Sequence, residues 1–207
     1  MIRALISDFG GVLTTPLAAG FLAYEEEAPI TLEDLGRGMQ AAAEKYGAHP
    51  LHSLERGEIS EVEFARRLSE QLHDGFDLAR LRELYFERID PNVPMIEFVR
   101  EQRRSGLRTA LLTNNVREWE PLWRAKLPEL DEIFEVVVDS AFVGMRKPEP
   151  GIYELTVERL GDGLRPEECL FVDDVEVNCD AAAELGMSVV HYRDNEQAIG
   201  EVRRLTG

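Results

Sequence analysis

Short apolar runs alternate with amphipathic segments along most of the chain. The apolar runs, which have the length of buried strands, occupy residues 2–7, 107–112, 133–138, 169–172 and 188–192. Segments with helical spacing, several bounded by Pro or Gly, occupy residues 94–105, 116–126, 149–160, 178–185 and 195–205. Strands that alternate with single helices predict a parallel, doubly wound α/β sheet.

The interval between the first two predicted strands is far longer than one crossover connection requires. We therefore predict a helical insertion over residues 15–93, with residues 1–14 and 94–207 forming the α/β core. The segment "DPNVP" at residues 90–94 carries two prolines and is predicted to be a hinge.

Within the insertion, two segments begin with the spacing of a helix capping box, Thr31 with Asp34 and Ser60 with Glu63. A third helix is predicted over residues 77–88. The apolar stripes that these helices are expected to bury are Leu32, Leu35, Met39, Ala43 and Tyr46; Ile59, Val62, Ala65, Leu68 and Leu72; and Leu78, Leu81 and Leu84. We interpret the stripes as packing surfaces rather than ligand sites.

The charge of the chain limits its partners. A formal net charge of -17 over 207 residues disfavours nucleic acid and anionic membranes, which need clustered Lys and Arg. The two cysteines, Cys169 and Cys179, lack the spacing of a zinc site. With no signal-peptide pattern and no apolar run long enough to span a membrane, we expect a cytoplasmic protein, a monomer or a homodimer, that acts on a small molecule.

Polar residues that could take part in catalysis or ligand binding follow four of the predicted strands. They are Asp8 in "SDFGG", Thr113 and Asn114 in "LLTNN", Lys147 in "GMRKPEPGIY", and Asp173 and Asp174 in "FVDDVEVNCD". Because the carboxyl ends of parallel strands share one edge of the sheet, we expect these side chains to meet there. Three carboxylates at one place raise one another's pKa unless cations join them. Lys147 supplies one positive charge, and a hard divalent ion such as Mg²⁺ would supply more.

In the order and spacing of these motifs the chain resembles the haloacid dehalogenase (HAD) superfamily of hydrolases. The likeness runs the full length of the chain and is most specific in "RKPEPGIY" and "FVDDVEVNCDAAAELGM". It implies a Rossmann-like core and, for the insertion, a small helical cap domain. Such a cap is expected to close over the site about hinges at residues 15–20 and 90–94.

The resemblance also implies roles for the strand-end residues. Asp8 matches the nucleophile that forms an aspartyl-phosphate. Thr113 and the backbone N–H of Asn114 match the groups that hold the phosphoryl oxygens, and Lys147 matches the residue that neutralises charge at the nucleophile and the phosphate.

For the metal, the resemblance implies a site formed by Asp8, the backbone carbonyl of Gly10, and Asp174, with Asp173 supporting it from behind. Asn178 falls where many relatives have another acid, and it is expected to orient Lys147 or a metal-bound water.

Gly10 departs from the family pattern, because most phosphatases of the superfamily have an acid/base Asp at that position. Its loss removes help worth about 10² to 10⁴ in rate. We therefore expect a Mg-dependent phosphatase that favours good leaving groups. A 2-haloacid dehalogenase, whose halide leaves without protonation, and a non-catalytic ligand-binding module remain alternatives. Thr14, Thr15 and Glu176 are open as replacement proton carriers.

The remaining aromatic side chains carry weaker signals. Trp119 and Trp123 are four residues apart on a predicted helix and are interpreted as packing residues. The four histidines lack the spacing of a metal site or a triad; of His49, His52, His73 and His191, the first two are candidates to touch substrate from the insertion.

Overall fold

Five parallel strands form the central sheet in the computed structural model, which describes residues 1–16, 18–28, 30–72 and 76–207. The strand order is β3-β2-β1-β4-β5. The bounds are Ala4–Ser7 (β1), Arg108–Thr113 (β2), Val136–Asp139 (β3), Cys169–Asp173 (β4) and Ser188–His191 (β5). The predicted doubly wound parallel sheet is thus confirmed, and β1 lies between β2 and β4, where the strand order reverses.

Helices cover both faces of the sheet, because its strands are apolar on both sides. One face packs against residues of α6 (Val93–Arg104), α7 (Glu120–Ala125), α8 (Leu130–Ile133) and α12 (Asn195–Thr206). The other face packs against α10 (Pro150–Leu160) and α11 (Glu176–Glu184). A short helix, α9 (Ser140–Val143), follows β3 directly and begins at an Asp139 cap.

Besides α6, the described residues between β1 and β2 form five helices. They are α1 (Ala18–Glu27), α2 (Leu32–Tyr46), α3 (Pro50–Glu55), α4 (Glu61–Ser69) and α5 (Leu78–Arg88). Three of them match the sequence prediction, whereas α1 and α3 were not predicted. We refer to residues 15–93 as the insertion; their assignment as a separate domain stays a prediction.

The capping predictions hold in full for one helix and in half for another. Thr31 and Asp34 form both hydrogen bonds of a capping box at α2. The Ser60 hydroxyl accepts from the Glu63 N–H, but the Glu63 carboxylate pairs with arginines of its own helix instead of capping. An N-terminal hydroxyl is enough to start α4, because it satisfies one of the free N–H groups.

The buried faces of two insertion helices differ from the predicted stripes. Val62 is 74% exposed and Leu32 is 40% exposed, so both predictions of burial are wrong. In α4, Leu68 is buried as predicted, and Phe64, which was not predicted, is buried as well. In α5, the predicted residues Leu78, Leu81 and Leu84 are all buried. The larger Phe64 side chain buries more apolar surface than Val62 and so decides which face of α4 turns inward.

The insertion has its own apolar cluster, and this cluster extends onto the core. Val116 and Trp119, from the segment after β2, belong to it. The Trp119 indole N–H also donates to Glu61 Oε2 at 2.7 Å. Trp123 instead packs in the sheet's core against Phe9, so both tryptophans pack as predicted, on different clusters.

The chain enters and leaves the insertion through neighbouring segments. The Thr15 N–H donates to the Asp90 carbonyl at 2.9 Å, and the Asn92 N–H donates to the Leu13 carbonyl at 2.8 Å. These segments contain the predicted hinges, of which residue 17 lies outside the described residues, as does His73. Hinge motion stays a prediction. Within the part of the chain that the structure describes, no helix is long and apolar enough to cross a membrane.

Candidate active site

A cavity of about 540 Å³ opens at the carboxyl ends of the strands. Residues from all four predicted motifs line it, namely Asp8, Gly10, Thr113, Asn114, Lys147, Asp174 and Asn178. Asp173 lies directly behind this wall and is fully buried. The structure therefore brings together the residues that the four motifs assign to the nucleophile, the phosphate contacts and the metal site. Thr14, Thr15 and Glu176 do not line the cavity.

Lys147 connects two of the carboxylates. Its Nζ lies 2.7 Å from Asp8 Oδ1 and 2.6 Å from Asp173 Oδ2, and its side chain is only 2% exposed. Asp8 Oδ1 also accepts from the Phe9 N–H at 2.7 Å. Two donors thus fix Oδ1, while Oδ2 of Asp8 accepts no hydrogen bond from the described residues. One oxygen of Asp8 is oriented and the other is available.

Both carboxylate oxygens of Asp173 accept hydrogen bonds from described residues. Besides Lys147, it accepts from the Val175 N–H at 2.8 Å and from Asn178 Nδ2 at 3.1 and 3.2 Å to its two oxygens. Asn178 therefore orients Asp173 rather than Lys147 directly. This arrangement fits a supporting role for Asp173, because its oxygens already have partners that fix the ammonium group.

Burial and charge act on the protonation of this cluster. Burial raises the pKa of Asp8, and the neighbouring Asp173 carboxylate adds to the rise, whereas Lys147 opposes it. For Lys147, burial disfavours the charged form, but Asp173 and Asp8 outweigh burial and hold its pKa above the usual value. Burial also raises the pKa of Asp174. The cluster contains more negative than positive charge.

This donor set suits a hard divalent cation. Oxygens of Asp8, Asp173 and Asp174 lie within 4.8 Å of one another, and carboxylate oxygens are the ligands that Mg²⁺ prefers. Gly11 permits the approach of Asp174: it has φ +81°, and a Cβ placed there would lie 2.1 Å from Asp174 Oδ2. The backbone at Gly11 therefore passes against the carboxylate with no room for a side chain at that position.

Thr113 and Asn114 occupy the adjoining wall. Thr113 ends β2 and is 2% exposed, and it lines the cavity. Asn114 holds the segment that carries Lys147, since its Nδ2 donates to the Lys147 carbonyl at 3.0 Å and its Oδ1 accepts the Lys147 N–H at 2.8 Å. The Asn114 side chain thus has a structural contact that the sequence did not suggest.

The opposite wall comes from the insertion, which contributes His52, Glu55 and Tyr85. Burial and the nearby Arg146 guanidinium lower the pKa of His52 to about 4, so the ring is neutral at pH 7. Burial raises the pKa of Glu55, although its partner Arg146 opposes this. Burial, with the charges of Asp8 and Glu55, raises the pKa of Tyr85. His52 was a candidate for this position, whereas Glu55, Tyr85 and Arg146 were not predicted.

A family model for haloacid dehalogenase-like hydrolases matches residues 2–186. The chain belongs to this family. The resemblance read from the motifs is confirmed, and so is the prediction of an enzyme, a hydrolase. The HAD core explains why the cavity lies beside β1 and β4, where the strand order reverses.

Three similar proteins illustrate the range of this family. Over its whole length the chain is 27% identical to a part of the bifunctional epoxide hydrolase 2 of Rattus norvegicus. That part is 39% of the relative, so the chain spans about two fifths of its length. It is 30% identical, over 97% of its length and 91% of the relative's, to a phosphorylated carbohydrates phosphatase of Thermotoga maritima. A HAD family enzyme of Bacteroides thetaiotaomicron, solved with magnesium and inorganic phosphate, has a TM-score of 0.68 and 25% identity, covering 93% of this chain and 95% of that one.

Proposed function

We propose that this HAD hydrolase is a Mg²⁺-dependent phosphatase acting on a small phosphomonoester through an aspartyl-phosphate intermediate. The observation that carries the proposal is the buried Lys147 ammonium between Asp8 and Asp173, in a cavity that Asp174 also lines. Such a site places a nucleophile, a fixed positive charge and a set of cation ligands together. The phosphatase name of the Thermotoga relative and the magnesium and phosphate in the Bacteroides structure support it.

The reaction would proceed in two displacements. Asp8 Oδ2 attacks phosphorus, the bond from phosphorus to the leaving-group oxygen breaks, and that oxygen takes up a proton. Water then attacks the aspartyl-phosphate at phosphorus, gives up a proton, and releases inorganic phosphate with the Asp8 carboxylate restored. Lys147 offsets the charge on Asp8 and the phosphoryl group, and Thr113 with the Asn114 N–H holds phosphoryl oxygens.

The metal would be held by Asp8, Asp174 and the Gly10 carbonyl, with Asp173 behind them. When bound, Mg²⁺ would supply positive charge that neutralises phosphoryl oxygens and favours the ionised form of Asp8. The excess of carboxylates over cations in the cavity supports this assignment, because it leaves negative charge that Lys147 alone does not balance.

The leaving group is proposed to be a good one, such as a sugar 1-phosphate, acyl phosphate or aryl phosphate would provide. Gly10 has no carboxyl to protonate it. The other titratable groups of the cavity do not replace that acid: His52 lacks its acidic imidazolium form at pH 7, and the raised pKa of Tyr85 makes it a poor acid. Glu55 is bound to Arg146.

Phosphate release from a panel of monoesters tests the proposal. We expect release by the wild type with Mg²⁺, none with a chelator, and none from Asp8→Asn. Asp131→Asn is a matched control, because the Asp131 side chain is 93% exposed and does not line the cavity. Rates should fall steeply as the pKa of the leaving group rises, and a flat dependence would contradict the leaving-group assignment.

The absence of an acid at Gly10 is also compatible with a dehalogenase, because a halide leaves without a proton donor. Carbon–halogen hydrolysis of 2-halo acids fits less well, since the substrate carboxylate would meet Asp174 beside Asp8. Release of chloride from 2-chloro acids, with no phosphate released from any ester, would favour the dehalogenase.

A further inference from the structure

The loop that carries Lys147 makes two salt bridges with adjacent residues of the insertion. Arg146 Nε lies 2.6 Å from Glu55 Oε2, and Arg56 Nε donates to Glu149 Oε1 at 2.8 Å. We call these two contacts the double salt bridge. Glu55 ends α3 and Arg56 follows it, while Arg146 and Glu149 flank the Lys147-Pro148 pair. A negative and a positive charge on the insertion thus meet a positive and a negative charge on the core.

The double salt bridge is partly shielded from water, and its Arg146–Glu55 pair more so than its Arg56–Glu149 pair. The side chains of Arg146 and Glu55 are 16% and 14% exposed, and those of Arg56 and Glu149 are 27% and 33% exposed. Ion pairs so placed are screened less by salt than surface pairs and have more defined geometry. The charges are also complementary in order, so sliding α3 along the loop would bring like charges together.

Close packing beside the double salt bridge fixes its position. A Cβ at Gly57 would lie 2.3 Å from the Ala141 carbonyl oxygen, so the insertion backbone touches α9 there. Arg117 Nη2 donates to the same carbonyl at 2.5 Å. The end of α3 is therefore seated on the core by backbone contact as well as by charge.

Lys147 is consequently held from two sides. Asn114 holds its backbone from the core, and the residues on either side of the Lys147-Pro148 pair are held by the insertion. The ammonium reaches Asp8 and Asp173 only if this loop is in place. Within the loop the Glu149 N–H also donates to the Arg146 carbonyl at 2.8 Å, and the two ion pairs with the insertion add a restraint on the side chains at both of these positions.

We propose that Glu55 and Arg56 are positioning residues, which through Arg146 and Glu149 place Lys147 against Asp8 when the insertion is seated on the core. The effect on turnover rests on the proposed function, whereas the restraint on the loop does not. Arg56 is the decisive residue, because it does not line the cavity and its side chain pairs with Glu149 on the Lys147 loop.

The experiment compares Arg56→Met with Arg56→Lys and with Arg82→Met. Arg82 pairs with Glu61 at 2.7 Å within the insertion at similar exposure, 31% and 19%, but does not touch the Lys147 loop. We expect Arg56→Met to lower kcat about tenfold, less than the roughly 10²-fold that a 1 Å misplacement can cost. Arg56→Lys should recover much of the loss, and Arg82→Met should keep kcat within about twofold.

Two readouts separate positioning from simple loss of stability. In a Lys147→Met background, Arg56→Met should lower kcat no further, because the residue acts through Lys147. Amide exchange over residues 145–149, measured by mass spectrometry at a temperature well below unfolding, should be faster in Arg56→Met and unchanged in Arg82→Met.

Unchanged exchange in Arg56→Met would overturn the proposal, whatever the enzyme hydrolyses. An additive loss with Lys147→Met, or an equal loss of kcat in Arg82→Met, would overturn it as well. If the wild type releases phosphate from no ester, the proposed function fails, and the exchange measurement still decides whether the insertion restrains the loop.

Discussion

Substituting Gly11 by alanine isolates the contact between the glycine turn and Asp174. Gly11 has φ +81°, and the new Cβ would lie 2.1 Å from Asp174 Oδ2 and 2.5 Å from its Cγ. Since real Cβ contacts essentially never fall below 3.0 Å, the carboxylate must retreat by roughly 1 Å or the turn must open. Either change alters the proposed metal site.

Two costs combine in Gly11→Ala, and Gly47→Ala separates them. Gly47 has φ +77°, close to that of Gly11, but a Cβ at Gly47 would have no other heavy atom of the described residues within 4 Å. Gly47→Ala therefore reports the left-handed backbone alone, about 1–2 kcal/mol. Gly11→Ala should lose at least this much unfolding free energy, and the displaced Asp174 should also weaken Mg²⁺ binding about 10–100-fold.

Calorimetric Mg²⁺ titration and urea unfolding of the two variants give the comparison. We expect Gly47→Ala to bind Mg²⁺ like the wild type and to lose stability only. Activity of Gly11→Ala should recover in part at high Mg²⁺, because the ligands are displaced rather than removed. Equal Mg²⁺ affinity in Gly11→Ala and Gly47→Ala would refute the reasoning that the turn places Asp174 for the metal.

Two further predictions concern stability. Burial raises the pKa of Asp139 from 3.8 to about 6, so ionisation is harder in the folded state and its stabilising protonated form is lost as pH rises through that range. We expect Asp139→Asn to raise the free energy of unfolding above that of the wild type by up to roughly 3 kcal/mol at pH 7 and by little at pH 4. Urea unfolding at both pH values measures this difference, and an equal difference at the two pH values would exclude this account. In thermal unfolding, Gly57→Ala should lose about 1–3 kcal/mol more stability than Gly163→Ala, because the new Cβ at Gly57 meets the Ala141 carbonyl oxygen. Gly163 has a similar φ of +63° but open space around it. Equal losses of stability would mean that the insertion backbone moves to relieve this contact.

The sheet and its strand ends were predictable because each is encoded by neighbouring residues. An apolar run followed by a polar residue marks both the strand and its end, and parallel strands bring those ends to one edge. Asp8, Thr113, Lys147 and Asp174 consequently line one cavity, as expected. The insertion helices were harder. In α1, the stretch "AAGFLAYEEE" has no clear apolar periodicity, and α3 is only six residues long.

Helix faces depend on tertiary packing more than on spacing. Val62 fits the apolar period of α4, yet Phe64 is the residue that turns inward. The Glu63 carboxylate had the position of a capping group, but Arg66 and Arg67 lie within reach on the same helix and pair with it. Local rules identify the residues that can make a contact, and competition among partners decides which contact forms.

The insertion wall of the cavity shows why the rest of the site was missed. Glu55 and Arg146 are 91 residues apart, and nothing in either local sequence indicates the other. Their meeting requires α3 to sit on α9 and the loop after α9 to fold back, which is a property of the whole chain. The two parts of the cavity wall therefore differ in kind: the strand ends place Asp8, Asp173 and Asp174, whereas the register of α3 on the core decides which residues of the insertion line the cavity with them. A one-residue shift of α3 would replace His52 and Glu55 in the wall and misalign both ion pairs of the double salt bridge, while leaving Asp8, Asp173 and Asp174 where they are. Under the proposed function, substrate contacts and Lys147 placement would both depend on this one short helix, and we expect changes in α3 to affect both together.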